Sequence, residues 1–507
     1  MFSKVKSAAI YGIESRIISV EADVSDGLPQ FSMVGYLTAE VREAQDRVRT
    51  ALKNSGYRLL PKKITVNLSP ADIRKSGSGF DLPIAVAVMA AYGYIPGDLL
   101  EGVFLAGELS LDGSVHGIRG ILGMMMEARL AGCRLCIIPE ENIQEGAVIQ
   151  GLAVCGAAHL KEVIMHFTSP QKLIPVSINI EEKFSEPPAW RPLDFADIKG
   201  QHLAKRAAEI AAAGRHNLLL SGPPGSGKTM IASRISGILP PMEFEEALEV
   251  SKIHSISGEL PKTGILVERP FRMPHHTVSA VALAGGGKIP RPGEISLAHR
   301  GVLYLDELPE FQKETLEVLR QPLEEGEVRI SRNTGQFIFP ADFMLVASRN
   351  PCKCGYYPDR TRCRCSESEV RWYLHRISRP LLDRIDLHVE VMQMQYEDLT
   401  GAAPEETTAQ IRQRVLRAQR FQTERYEGSP FRFNSELTAS VLEKYCVMEP
   451  EAKEQLRYIY EQKNLTARSY HKMIKVARTI ADLDECETIE MRHLGEAVFY
   501  RPAEGLQ

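Results

Sequence analysis

Apolar and polar positions change rhythm three times along the 507 residues. Up to about residue 168, short apolar runs with β-like alternation stand between glycine-rich turns, as in KKITVNLSP (62–70) and CRLCIIPEEN (133–142). A polar, proline-bearing stretch over 169–192 reads as a linker. Over 193–395, strand signals alternate with helical ones, which predicts an α/β domain on a parallel sheet. From 396 to 507 helical periodicity dominates. In TARSYHKMIKVARTIADL, Tyr470, Ile474, Ala477 and Ala481 recur at helical spacing behind Thr466, a predicted N-cap.

Composition narrows the class. With 44% hydrophobic and 25% charged residues, the chain has the make-up of a folded protein with sizeable cores. A net charge of −4 excludes a wholly basic nucleic-acid coat, so any such binding must come from local patches. The first 24 residues lack the apolar core of a signal peptide. No apolar run approaches the roughly 18 residues needed to span a bilayer. A cytoplasmic protein without membrane partners is expected, its thiols kept reduced.

The strongest chemical signal is NLLLSGPPGSGKTMIA. An apolar strand, Leu218 to Leu220, runs into Gly222, Pro223, Pro224, Gly225, Ser226, Gly227, Lys228 and Thr229, then into a helical pattern. This is a phosphate loop in its required strand–loop–helix setting. Its backbone N–H groups cradle phosphate, Lys228 reaches the β- and γ-phosphates of ATP, and the Thr229 hydroxyl ligates Mg²⁺. GVLYLDELPEF adds a second buried strand, Val302 to Leu305, ending in Asp306 and Glu307. Asp306 suits the Mg²⁺ shell and Glu307 suits polarising the attacking water.

Over residues 194–500 these motifs resemble the AAA+ ATPases, more narrowly their magnesium-chelatase-like branch. The resemblance implies that DFADIKGQ (194–201) folds over adenine and that MLVASRNP ends in a sensor-1 residue, Asn350. It implies that RPLLDRIDLHVEV carries an arginine finger, Arg384, for a neighbouring subunit's ATP, and that Arg468 on a sensor-2 helix reaches the γ-phosphate. Ser348 and Arg349 depart from the small or apolar residues usual before Asn350. A finger acting in trans implies a homo-oligomer, in this family a hexameric ring.

Two stretches within that core read as insertions. ERPFRMPHHTVSAVALAGGGKIPRPGEISLAHRG is rich in glycine and proline and carries Arg269, Arg272, Lys288 and Arg291. EGEVRISRNTGQFIF predicts a β-hairpin about an Asn-Thr-Gly turn. In this branch such insertions line the ring pore. His275 and His276 have no ligand partners nearby in sequence and read as structural. The segment 350–365 holds Cys352, Cys354, Cys363 and Cys365 in two C-x-C arms, which suit a structural Zn²⁺; a redox switch or no metal are the other readings. Cys133 and Cys136 read as buried small residues. From Arg349 to Arg379 there are eight Lys or Arg against three acidic residues, interleaved with Tyr356, Tyr357, Trp372 and Tyr373. That mixture suits phosphate contact and base stacking, or else a solvated charged face.

The first block resembles the proteolytic domain of Lon. RKSGSGFDLPIAVAVMAA and GELSLDGSVHGIRGILGMMMEARLAGCRLCIIPEEN carry the likeness. The serine of the Ser–Lys dyad falls on Gly79 and the lysine on Leu122, and neither can serve as nucleophile or base. Ser76 and Ser78 stand nearby without a partner lysine. The fold expected is therefore a degenerate Lon-protease-like α+β domain over 1–168, an AAA+ α/β domain with β-hairpin insertions, and a C-terminal helical lid. That layout resembles the YifB/ComM family along nearly the whole chain. It implies a hexameric ATP-driven motor or helicase on single-stranded or branched DNA, promoting branch migration in recombination and uptake of transforming DNA. A metal-chelatase motor subunit, driving Mg²⁺ insertion into a porphyrin, is the alternative; the missing dyad opposes an ATP-dependent protease.

Overall fold

The computed structural model describes residues 1–185, 193–287, 289–332, 335–393, 405–463 and 465–501. The chain forms two compact units, each assembled from separated segments. The first joins the N-terminal segment to Glu243–Val267 and Arg329–Phe339; the second holds the phosphate-loop segment, Glu268–Val328 and the chain from Pro340 onward. Two stretches that lie inside the 193–395 block of the sequence thus belong with the N-terminal fold.

The first unit is built on a seven-stranded sheet. Its order is Gln30–Val34, Lys63–Ser69, Glu14–Ser25, Phe2–Tyr11, Val103–Leu105, Leu135–Pro139 and Ala153–Ala157. Strands Phe2–Tyr11 and Glu14–Ser25 pair antiparallel about Gly12, and Ile18, Val20, Ala22 and Val24 alternate into the core. Helix Asp81–Ala91 is buried at every position, which explains its lack of a polar stripe. The predicted hairpin forms between Glu327–Arg332 and Gly335–Pro340; Asn333 and Thr334 of its turn lie outside the described residues. In the first unit, Phe337 of that hairpin stacks 4.9 Å from Tyr11.

The second unit carries the parallel sheet that the alternating signals predict. Its order is Phe271–Arg272, Val302–Leu305, Met344–Arg349, Leu218–Ser221 and Leu387–Glu390, and every pairing is parallel. Leu218–Leu220, Val302–Leu305 and Met344–Ala347 are inaccessible to solvent, the continuous apolar pattern of strands covered on both faces. Pairings of Ser221 with Arg349 and Leu305 with Ala347 bring the residues just past three strands to one edge of the sheet. In such sheets that carboxyl edge is where ligands bind. The C-terminal helices share this unit's core: Ala467–Leu483 buries Met473, Ile474, Ala477, Ile480 and Ala481 in the cluster that holds Leu218 and Leu220. Thr466 caps it as predicted, accepting from Ser469 N at 3.2 Å. Among the described residues no helix is long and apolar enough to cross a membrane.

Candidate active site

The phosphate loop leaves the sheet at Ser221 and enters helix Lys228–Ile238. Gly225 and Gly227 turn through φ of +77° and +92°, the left-handed region that side chains resist. Gly222 has a different reason: a Cβ there would stand 2.2 Å from the Val391 carbonyl oxygen. Lys228 is buried, and its Nζ donates to Gly222 O at 2.7 Å, Pro223 O at 2.8 Å and Asn350 Oδ1 at 3.1 Å. Burial lowers its pKa; the negative charges of Asp306 and Glu307 oppose that shift. Asn350, from the neighbouring strand, thus meets the loop lysine directly.

The carboxylates follow strand Val302–Leu305. Thr229 Oγ1 donates to Asp306 Oδ2 at 3.2 Å, so a hydroxyl and a carboxylate converge as oxygen donors of the hard kind that Mg²⁺ prefers. Glu307 is exposed and adopts φ +53°, ψ +50°, a backbone strain common at functional turns. Two residues with no assigned role hold this corner. Tyr304 donates to Asp306 Oδ1 at 2.9 Å and lies 3.3 Å from Thr229 Oγ1. Ser348 donates to Asp306 Oδ1 and accepts the Glu307 N–H at 3.1 Å. Tyr304 precedes Asp306 by two strand positions and so shares its face, a signal legible in the sequence. The hydroxyl at Ser348 therefore ties the Asp306 carboxylate to the Glu307 backbone. Arg349 is buried beneath, donating to Ser221 Oγ at 3.1 Å.

The segment 194–201 is sewn to the phosphate-loop helix. Arg234 donates to Asp194 O at 2.6 Å and pairs with Asp197 at 2.9 Å. Gln201 donates to Ser226 O at 3.3 Å and Met392 O at 2.7 Å. Asp194 Oδ1 accepts the Thr408 N–H at 2.7 Å and so anchors helix Thr408–Arg425 to the same segment.

Arg384 and Arg468 gather elsewhere. Both donate to Glu324 Oε1, Arg468 at 3.1 Å, and neither bonds to Lys228, Thr229, Asp306 or Glu307. Burial, opposed by Glu324 and reinforced by the positive charges of Arg468 and Arg320, lowers the pKa of Arg384. Two guanidiniums on one carboxylate leave positive charge unbalanced.

The four cysteines form one cluster, with every Sγ within 4.8 Å of the others. Three of the separations are 3.3, 3.7 and 3.5 Å, near the roughly 3.8 Å edge of a tetrahedron with Zn–S bonds of about 2.3 Å. All are free thiols. A hydrogen bond from the Tyr356 backbone leads the causes that lower Cys354 to about 6, whereas burial pushes Cys363 up to about 12. The cluster packs on Val370, Tyr373 and Leu374 of helix Glu367–Leu374. Tyr373 is therefore core and does not stack bases. Arg362 covers Tyr356 at 3.9 Å and Arg360 covers Tyr357 at 5.0 Å. Trp372 is 65% exposed, with the Arg376 guanidinium 5.9 Å from its ring.

Arg272 pairs with Glu294 at 2.7 Å and Arg269 donates to the carbonyls of Pro240, Pro241 and Arg300, so both are engaged within the fold. Lys288 lies outside the described residues. His275 and His276 stack at 4.1 Å, and among the described residues no further ligand joins them. Cys133 and Cys136 are buried, and burial pushes Cys136 up to about 12.

Neither position that the resemblance to Lon gives to the dyad carries a side-chain nucleophile or base. A Cβ on Gly79 would lie 2.9 Å from Ile118 Cδ1, and Leu122 is inaccessible, its N–H donating to Glu145 at 2.8 Å. Ser78 donates to Glu108, and Lys75, its pKa lowered by burial, donates Nζ to Pro70 O.

Comparison with known proteins agrees with this geometry. The family model "Magnesium chelatase, subunit ChlI" matches residues 194–399, "Subunit ChlI of Mg-chelatase" matches 20–142, and "Magnesium chelatase, subunit ChlI C-terminal" matches 405–501. YifB of Salmonella typhimurium is 41% identical over 503 residues, covering 99% of this chain and 97% of its own length. Competence protein ComM of Haemophilus influenzae is 41% identical over 498 residues, covering 98% and 97%. The chain belongs to the YifB/ComM family. A shorter similarity, 30% over 162 residues, joins this family member to the magnesium-chelatase 67 kDa subunit of Chlorobaculum parvum, 31% of the chain and 23% of that protein. The two similarities differ in reach: one spans both units, the other less than a third of the chain.

Proposed function

We propose that this protein is an ATP-driven motor on single-stranded or branched DNA, acting in the cytoplasm as a homo-oligomeric ring, with six subunits as in the AAA+ relatives it resembles. The observation that carries the ATPase half is the meeting of Lys228, Thr229, Asp306, Glu307 and Asn350 at one sheet edge. Mg²⁺ bound with ATP there would supply charge neutralisation at the phosphates. The protein's own part is positional. Thr229 and Asp306 offer oxygen ligands, Tyr304 and Ser348 hold the Asp306 carboxylate, Asn350 orients Lys228, and Glu307 polarises the attacking water.

Arg384 and Arg468 sit together on Glu324, away from their own subunit's phosphate loop. That placement supports Arg384 as a finger acting in trans on a neighbour's ATP, and it makes Glu324 the carboxylate that holds both arginines between encounters. Arg468, assigned to the γ-phosphate by resemblance, joins the same charged patch.

The DNA half rests on the competence role printed in ComM's name and on the basic, aromatic cysteine loop. Zn²⁺ on Cys352, Cys354, Cys363 and Cys365 fits the sulfur separations and would fix that loop's shape. Arg360, Arg364, Arg371 and Trp372 then face phosphate and bases, and the motor promotes branch migration. The first unit is read as a degenerate Lon-like domain, with Gly79 and Leu122 in place of a dyad. A second reading, the motor of a metal chelatase, is favoured by the names of the matching family models. ATP turnover measured with forked DNA and, separately, with a porphyrin and Mg²⁺ decides between them: stimulation by forked DNA alone supports the motor, and stimulation by the porphyrin alone replaces it.

A further inference from the structure

We infer that Gly355, in the first turn of the cysteine loop, is a positioning residue for the nucleotide: its backbone seats the phosphate loop at Pro224. The inference rests on the reading of residues 222–229 as nucleotide-binding.

Gly355 is buried and adopts φ +88°; its N–H donates to Cys352 O at 2.9 Å, closing the turn that begins at Cys352 and brackets Cys354. A Cβ at this position would stand 2.5 Å from Pro224 Cδ and 3.0 Å from Pro224 Cγ. The glycine therefore lies flat against the proline ring, with no room for a methyl group. Elsewhere the phosphate loop is held by backbone and amide contacts: Gly222 N–H on Arg349 O at 3.1 Å, and Gln201 on Ser226 O. The cysteine loop reaches the second of these as well. Arg362 donates to Gln393 Oε1 at 2.7 Å, and the adjoining Met392 carbonyl holds Gln201.

One loop thus touches the phosphate loop directly at Pro224 and indirectly through Gln393, Met392, Gln201 and Ser226. The need for an outside wall is physical. The phosphate loop turns on Gly225 and Gly227, at which a Cβ would meet nothing within 4 Å, so the direction of its N–H groups is set by what it leans on. A displacement of about 1 Å in such a cradle is enough to cost up to about two orders of magnitude in activity. The loop that gathers four thiols beside a basic surface is, on this geometry, also part of the nucleotide site's frame.

The test measures affinity for a fluorescent ATP analogue, without DNA, on the full-length protein. Gly355→Ala should weaken it by about tenfold or more, with KM for ATP rising more than kcat falls. Pro224→Ala removes the two ring carbons in the way, so adding it to Gly355→Ala should regain the part of the loss that the clash causes, while the strain of alanine at φ +88° remains. Wild-type affinity in a cooperatively folded Gly355→Ala, or a loss that Pro224→Ala does not relieve, overturns the inference. If Gly355→Ala yields no folded protein, Arg362→Ala carries the test by severing only the indirect hold: weaker nucleotide binding supports the inference and unchanged binding overturns it. Lys228→Ala separates the two levels. Unchanged nucleotide affinity in that variant removes the phosphate-loop reading itself, whereas a loss there with none at Gly355 or Arg362 removes only the wall.

Discussion

Two regions of this chain resemble catalytic sites in sequence, and they are built oppositely. At the sheet edge of the second unit, Lys228, Thr229, Asp306 and Asn350 point polar atoms at one another, and Glu307 stays exposed beside them. At Gly79 and Leu122 in the first unit, the nearest groups are the Ile118 side chain and the buried Glu145 carboxylate, which the Leu122 N–H already occupies. The polar groups around the second place are spent on holding the fold: Arg47 grips Asp81 through two bonds of 2.7 and 3.0 Å, and Ser78 is tied to Glu108. The comparison teaches that a fold's resemblance to an enzyme says less than where its polar atoms are spent. Variants in the first region should change turnover and leave folding stability alone; variants in the second should do the reverse.

The largest expected effect is at Arg384. Arg384→Ala should bind ATP normally and lose about 10³- to 10⁵-fold in hydrolysis, measured as steady-state turnover. Mixing it with Lys228→Ala subunits should restore part of the activity at hybrid interfaces; mixed rings without any recovery would argue against a finger in trans. Next comes Glu307→Gln, expected to retain ATP binding while turnover falls by about 10²- to 10⁴-fold, the range of a positioned general base. A nucleotide-loaded, slowly hydrolysing oligomer on a sizing column checks it.

In the first unit the measure changes from rate to stability. Arg47→Ala leaves the buried Asp81 carboxylate without its cation and should cost about 3–5 kcal/mol in denaturant unfolding, with ATP turnover per folded molecule unchanged. Ser78→Ala should cost about 1 kcal/mol and no activity, and the wild-type protein should cleave no unfolded substrate. Cleavage that disappears in Ser78→Ala would collapse the contrast between the two regions. The smallest effect is a pH dependence. Burial raises the Glu145 carboxyl above its ordinary 4.5, although Ser255, Leu122 and Asn142 donate to it. The folded state therefore holds that proton more tightly than the unfolded chain. Its contribution to stability is full below about pH 4.5 and fades as pH rises through the folded value, and Glu145→Gln should remove that fade from unfolding curves.

Much of this was legible in the sequence. Continuous apolar runs at Leu218–Leu220 and Val302–Leu305 announced parallel strands, and the residues immediately after them announced the nucleotide site, because strand ends in such sheets line up. The helix over 467–483 showed its buried face through the spacing of Ile474, Ala477 and Ala481. Other features were hidden because they depend on pairing across the chain. Ser348 reads as an anomaly until the sheet register sets it beside Asp306. Residues 243–267 and 329–339 read as parts of the ATPase block, since periodicity reports which face of an element is buried and not which core buries it. Tyr373 and Trp372, adjacent in sequence and alike in chemistry, part company because the helix turns one onto the cysteine cluster and the other to solvent.

The central claim is that ATP hydrolysis at the Lys228–Asp306–Glu307 site moves branched DNA. It is tested most directly by branch migration of a synthetic four-way junction with purified protein, ATP and Mg²⁺, wild type beside Glu307→Gln. Strand exchange that requires ATP and is absent with Glu307→Gln is the predicted result. Steady ATP hydrolysis by an assembled wild-type protein that neither moves the junction nor responds to DNA would contradict it.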